Sequence, residues 1–417
     1  MEVKLKEVIN LLIYKTFSLS FLNLLNFLIT VFTISFILKS LGPLLWGKFI
    51  LVQLWPNYLG ILCLWSFTNN EVRQISLNRN SFVDINLIFN ESLFIQIFLT
   101  IISILILICA KNLNLININQ YGLIGIISIV AGHGTQFHWL LNGLEKIWQA
   151  AFFQLFSKIF IFILIVIFQN QGFDHNILLL FFGIGSLISN FFCLSYIFFK
   201  LGIKLNKISI KSIIKRFSKG ILFFFSSLTA NLKNLSTPLL LNYFGGEYYV
   251  GLFASLERIK SLLVQVSLPF TNSIFPRISY LNVNSTKSAN EFKLIYFLIL
   301  IAVCVPIVSI VFFYPELILL KFAGVEFIHL KLELQMISIL SLLTVISEYF
   351  YYLNLISNNL RNKIFIYNSI GLIIVVCSGF FLIKLLNILG AIISLYLLEL
   401  FNILIIFFKT KKKYDHF

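Results

Sequence analysis

Lys233, Glu257, Arg258 and Lys260 stand inside two long apolar segments, residues 220–241 and 250–275, joined by a short turn at 242–246. About 20 helical residues rise ~30 Å, the thickness of a bilayer core. At ~1.5 Å per residue from the shared turn, Lys233 and Arg258 both fall ~12 Å deep, and Lys260 lies nearer mid-membrane. A cation there costs ~2.5–3.5 kcal/mol on insertion scales, so these side chains are expected to avoid lipid and line a wet cavity. What they offer is fixed charge in a place that water reaches.

Their neighbours support a polar cavity. Ser227, Asn231 and Asn234 recur at helical spacing on the first segment, with Ser226 and Thr237 beside them. On the second, Ser255, Arg258 and Gln265 share a face, while Glu257 and Lys260 are spaced i, i+3 and can pair. Arg258 is therefore the better candidate for an unpaired cation. The alternative is that Lys233 and Lys260 snorkel to an interface. Pro238 and Pro269 predict kinks in the two helices.

Other ionisable groups fall mid-span. Lys158 lies within a fifth apolar segment, and Glu348 and Glu399 within the tenth and twelfth, where acids are candidates for ion or proton coupling. Lys15, near the end of the first, is expected to snorkel. His133 and His138 do not share a helix face, which favours packing over metal binding. The five cysteines are widely spaced in apolar runs, with no CxxC or Cys/His cluster, so neither a disulfide framework nor zinc is expected, nor any cofactor.

These groups need membrane helices to hold them. At 59% hydrophobic residues and a mean hydropathy of +0.95, the chain is no soluble domain. Its apolar runs reach 20 residues or more without period-2 patterning, which makes the fold class an all-α polytopic membrane protein. Twelve spans are expected, near 9–31, 45–67, 84–109, 118–141, 148–169, 176–199, 220–241, 250–275, 293–313, 334–356, 364–384 and 387–408. No connection is long enough to house a soluble catalytic domain.

The net charge of +16 accompanies abundant Phe, Ile and Asn, and no basic domain stands outside the membrane, so nucleic acid is not an expected partner. Position is more telling than number. One set of faces carries Lys4, Lys6, Arg73, Arg79, Lys146, the block 200–219, Arg277, Lys287, Lys293, Arg361, Lys363 and the run 409–413. The opposite loops carry only Lys39, Lys111, Lys321, Lys331 and Lys384. By the positive-inside rule both termini are cytoplasmic.

The block KLGIKLNKISIKSIIKRFSKG (200–220) divides the chain near its midpoint, either as a helix lying in the cytoplasmic interface or as a solvated basic linker. The expected organisation is an N-terminal six-helix bundle (1–205), a basic cytoplasmic linker (206–219) and a C-terminal six-helix bundle (220–417). Six is even, so the halves share an orientation and are related by an axis along the membrane normal. A weak repeat agrees: LGPLLWGKF (41–49) and FGGEYYVGLF (244–253) both read Gly, aromatic, Gly, one residue, Phe, with one extra residue in the second.

Several stretches resemble the polysaccharide repeat-unit (O-antigen, Wzx-type) flippases of the MOP superfamily, relatives of MATE exporters. LGPLLWGKF resembles the family's Leu-Gly-x-x-x-[aromatic]-Gly-x-[Phe/Tyr] segment, and SFTNNEVRQIS (66–76) its polar stretch ending in Arg. LLNGLEKIWQAAFFQLFSK (140–158) resembles the Gln-Gly-x-Glu-Lys joint, with Asn142 in place of Gln. Residues 223–260 resemble the seventh and eighth helices, FPRIS (275–279) the end of the eighth, and GAIISLYLLE (390–399) the twelfth. The family's glycine and proline pattern is thinned here in favour of Ile and Phe.

The resemblance implies a transporter, not an enzyme, that flips polyprenyl-pyrophosphate-linked oligosaccharide across the bacterial inner membrane by alternating access. It implies membrane lipids and the lipid-linked oligosaccharide as partners, with a polysaccharide polymerase and chain-length proteins alongside. Lys158, Lys233, Arg258 and Lys260, with Asn231, Asn234 and Gln265, are the expected substrate contacts; Glu257, Glu348 and Glu399 are the coupling candidates. The alternatives are a MATE-like multidrug or lipid II exporter and a membrane glycosyltransferase or polymerase. The first would want unpaired acids in the N-terminal half, and the last an acidic or sizeable external loop; neither feature is found.

Overall fold

The computed structural model describes residues 2–79, 81–168, 172, 174–206, 208–267, 286–351 and 361–412. Pro269, the FPRIS segment and the side chains of Lys4, Lys6, Lys15, Arg277, Lys287, Arg361, Lys363 and the run 409–413 lie outside the described residues. All regular structure among the described residues is helical.

The helices are α1 (Glu2–Leu64), α2 (Val72–Leu77), α3 (Phe82–Asn112), α4 (Gln120–Gly134), α5 (His138–Gly143), α6 (Ile147–Phe168) and α7 (His175–Phe199). They continue as α8 (Ile210–Gly245), α9 (Glu247–Gln265), α10 (Thr286–Phe313), α11 (Pro315–Phe322), α12 (Lys331–Tyr351) and α13 (Arg361–Lys412). A π turn (Phe67–Glu71) precedes α2, and a 3-10 turn (Val325–Leu330) precedes α12.

Among the described residues, seven helical stretches are long and apolar enough to cross a bilayer. Two of them, Leu24–Leu64 and Ile364–Leu404, have 41 residues each, about twice one crossing. Each is broken once. Gly42 (φ 66, ψ 178) divides α1, and Asn387 (φ 48, ψ −118) divides α13. A Cβ on Gly390 would strike the Leu382 carbonyl, so the chain doubles back at Asn387; in an unbroken helix those residues would be ~12 Å apart. With these breaks, and with α4, α8 and α9 counted, about twelve spanning segments result, as the sequence implies.

Several boundaries differ from expectation. The first helix runs to Gly42 rather than ending near 31, because one glycine makes the turn. The expected span 118–141 is interrupted at 135–137, where Thr135 and Gln136 bond back to the Ala131, Gly132 and His133 carbonyls. Pro238 stands inside an α8 that remains helical around it. Of the basic block, residues from Ile210 onward are the first turns of α8, and 202–206 and 208–209 are not helical.

The chain forms two compact units, residues 1–34 with 52–228, and 35–51 with 229–417. In the first, α4 packs along α7, α6 along α7 and α3 along α4. Glycines allow the closest of these approaches: a Cβ on Gly125 would press on the Leu179 and Leu180 backbone, and one on Gly183 on Ser128. An apolar core runs from Trp65 and Phe67 through Phe89, Phe137 and Trp139 to Ile197 and Ile203. In the second unit α12 packs on α9, α10 and α13.

The second unit also brings the two repeat copies together. Gly42 and Gly246 share one unusual backbone conformation (φ 66, ψ 178; φ 83, ψ −178). The interval from Gly42 to Gly47 equals that from Gly246 to Gly251, so the structural register needs no extra residue, a correction to the sequence alignment. Gly47 and Gly251 face one another: a Cβ on either would enter the partner backbone at Glu247 or Pro43.

Candidate functional site

Lys233 on α8, Glu257 and Lys260 on α9, Glu348 on α12 and Glu399 on α13 gather in the second unit. Lys260 is buried and pairs with Glu257 at 3.0 Å, the i, i+3 pair expected from spacing. Lys233 lays its stem beside Gly371 of α13 and lies in the field of Glu399, Glu348 and Lys260. Lys260 feels Glu399 and Glu348 as well as Glu257. Lys260 thus feels three carboxylates and Lys233 two of them, a mixed cluster of charge.

Glu399 is the most ordered of the acids. It is buried, and it accepts from Thr344 Oγ1 at 3.3 Å, from Asn402 Nδ2 at 3.2 Å and from Ser347 Oγ. Thr344 and Ser347 stand one turn apart on α12, so one helix face presents both hydroxyls. These three donors were missed from sequence, although their i, i+3 spacing was visible there.

Arg258 points elsewhere. Two residues before Lys260, it lies well round the helix, and its guanidinium sits over the Trp46 ring at 5.9 Å. Among the described residues no carboxylate lies within 4.0 Å of it. Ser255 of the same face is buried and bonds back to the Leu252 carbonyl, and Gln265 closes α9 half-buried. Asn231 and Asn234 are exposed along α8. The structure therefore groups Lys233 with Lys260, Glu348 and Glu399, and sets Arg258 against Trp46.

Lys158 belongs to the first unit. Its Nζ donates to Thr30 Oγ1 at 2.9 Å, and that hydroxyl donates in turn to the Asn26 carbonyl at 2.6 Å.

A second polar cluster in the first unit escaped the sequence reading. Arg216, in the first turns of α8, pairs with Glu91 through Nε and reaches Gln74 Oε1 at 3.0 Å and Glu71 Oε1 at 3.6 Å through one terminal nitrogen. Glu71 is fully buried and accepts from Asn70 at 3.1 Å and Ser66 at 3.3 Å. Burial pushes its carboxyl up, against the Arg216 charge and these hydrogen bonds. Beside this cluster Trp65 donates to the Phe217 carbonyl at 3.2 Å and stacks on Phe217 and Phe224 at 4.2 and 4.4 Å. The available signal was Arg216 itself, the one arginine in a lysine-rich tract, since a planar fork suits two carboxylates better than an ammonium does.

This helical membrane architecture matches solved transporters. An inward-facing conformation of a multidrug resistance MATE family transporter of the MOP superfamily superposes with a TM-score of 0.76 at 14% identity, covering 93% of this chain and 94% of that one. The lipid II flippase MurJ, in an inward closed conformation, gives 0.71 at 15% identity, covering 94% and 87%. At such identities the likeness establishes the fold. Residues 12–282 match the polysaccharide biosynthesis protein family, and the chain belongs to that family. A relative from Escherichia coli (strain K12), "Putative O-antigen transporter", is 23% identical over 256 residues. That alignment spans 61% of this chain and 61% of the relative's length.

Proposed function

We propose that this protein is a flippase that carries polyprenyl-pyrophosphate-linked oligosaccharide repeat units across the bacterial cytoplasmic membrane for O-antigen or another surface polysaccharide. Family membership supports the pathway, and the name of the Escherichia coli relative supports the class of cargo. The observation that carries the reading is Arg258: an intramembrane guanidinium with no carboxylate within 4.0 Å among the described residues. Its planar fork suits a pyrophosphate, to which it offers charge-assisted, bidentate hydrogen bonds in place of lost hydration.

In this reading Lys233 and Lys260, set apart from Arg258, supply further positive charge, and Lys158 is a separate candidate contact. Asn231, Asn234 and Gln265 bond the sugar. Glu257, Glu348 and Glu399 rebalance charge as the anion enters and leaves, which makes them the candidates for coupling to an ion. The site opens to each side alternately as the N-terminal and C-terminal six-helix bundles move. Both termini are cytoplasmic. An inside-negative potential then favours outward movement of an anion by ~2.3 kcal/mol per charge per 100 mV. No catalytic step is assigned to the chain. Polymerase and chain-length proteins would act on what it delivers.

Deleting the protein from its host should stop surface polysaccharide and leave lipid-linked repeat units on the cytoplasmic leaflet. Restoring the chain should reverse both. Unchanged export, with no accumulation of lipid-linked units, would refute the reading.

A further inference from the structure

The first turns of α8 present two unlike faces. One is docked: Arg216 is held by Glu71, Glu91 and Gln74, and Phe217 by Trp65, so the helix cannot turn about its axis. The other face is open. Lys211, Lys215 and Lys219 are exposed at i, i+4 and i+8, forming one ribbon along the helix. Beside them Ile210 and Ile214 are 74% and 62% exposed. Lys204, in the non-helical stretch before α8, is exposed too. None of these four lysines is in an ion pair among the described residues.

We infer that this face is a binding surface for the headgroups of anionic phospholipids. Two large isoleucines held outward would cost free energy in water and are at home in the acyl boundary. The adjoining lysines then stand at headgroup depth, because the same helix continues without interruption into a membrane segment through Gly245. Their stems run along the apolar boundary while the ammonium groups reach phosphate. Three unpaired positive charges beside an apolar strip match a negatively charged, amphipathic surface. An acidic polypeptide would match the charges and leave the isoleucines without a counterpart. The Arg216 clamp on two buried carboxylates supplies the orientation, since without it the helix could roll its lysines into water.

This inference borrows from the proposed function only the membrane placement of the chain, and its test needs no transport. Purified protein is loaded with phosphatidylglycerol or phosphatidylcholine in detergent, and retained lipids are counted by native mass spectrometry. Phosphatidylglycerol should be retained preferentially. The triple variant K211Q/K215Q/K219Q should weaken that retention by on the order of tenfold to a hundredfold, at about fivefold per lysine. K211R/K215R/K219R should keep it, and ~0.5 M salt should reduce it in the wild type. All three positions are exposed, so the variants should elute as the wild type on size exclusion; a variant that does not is replaced by the single-lysine variants, each expected to lose a smaller share. Equal retention of the two lipids would overturn the inference. So would an unchanged glutamine variant, displacement of lipid by millimolar inorganic phosphate, or tighter capture of polyglutamate than of phosphatidylglycerol.

Discussion

The residue that most directly tests the transport reading is Arg258. Arg258→Ala should abolish repeat-unit export per folded transporter, and Arg258→Lys should restore it only in part, because an ammonium keeps the charge without the fork. If Arg258 merely steadies α9 through its stacking on Trp46, the Ala variant would instead reduce protein in the membrane. Near-normal export at normal protein level would sink the anion site. Arg216 poses a different problem. Arg216→Ala leaves Glu71 and Glu91 buried with no counter-charge, and should destabilise the first unit by about 3–5 kcal/mol. Adding Glu71→Gln should recover part of that loss in thermal unfolding in detergent; a double variant no more stable than the single one would show that the charge balance is not what Arg216 provides.

Elements here are closed by small, specific devices. Asp174 caps α7, its carboxylate accepting from the Asn176 and Ile177 backbone amides at 3.0 Å and from the Asn176 side chain at 2.8 Å. Partial burial pushes its carboxyl up, but these bonds and the nearby His175 outweigh that and hold it below the ordinary aspartate range. The sign follows: the folded pKa is depressed, so the cap's contribution is present above the unfolded pKa of ~3.9 and is lost as pH falls through the folded value. Asp174→Ala should cost about 1 kcal/mol at neutral pH and flatten the acid limb of the stability curve. A limb as steep as the wild type's would assign it to other carboxylates. Where the repeat copies meet, Gly251→Ala would drive a methyl into the Pro43 carbonyl. That overpacking should cost roughly 1–3 kcal/mol, measured as lost thermal stability. Full stability would mean that the seam opens freely.

At the scale of the whole molecule the open variable is orientation. Replacing the five native cysteines removes background labelling, since Cys109 and Cys377 are exposed. Cysteine placed at Ser209 should then resist an impermeant thiol reagent in intact cells, and cysteine at Asn242 should react. Both positions are exposed in the structure, so access decides the outcome, not burial. Labelling of Ser209 from outside would reverse the assignment and put the lysine face of α8 on the other leaflet.

The class of protein was legible in the chain because membrane insertion is governed by local composition: apolar runs set the number of crossings, and sparse ionisable residues within them mark polar interior. The Glu257–Lys260 pair was legible for the same reason, being one turn of one helix. What needed the tertiary structure was every relation between distant segments. Spacing could not show that Lys233 shares its field with Glu348 and Glu399, or that Glu399 is held by Thr344 and Ser347, because the three helices involved are far apart in sequence. It could not show that Arg216, one cation in a basic tract, is held against the buried Glu71 and Glu91 while its lysine neighbours stay open. Nor could it place Gly47 against Gly251: a glycine announces that close approach is permitted, and only the packed chain decides what approaches.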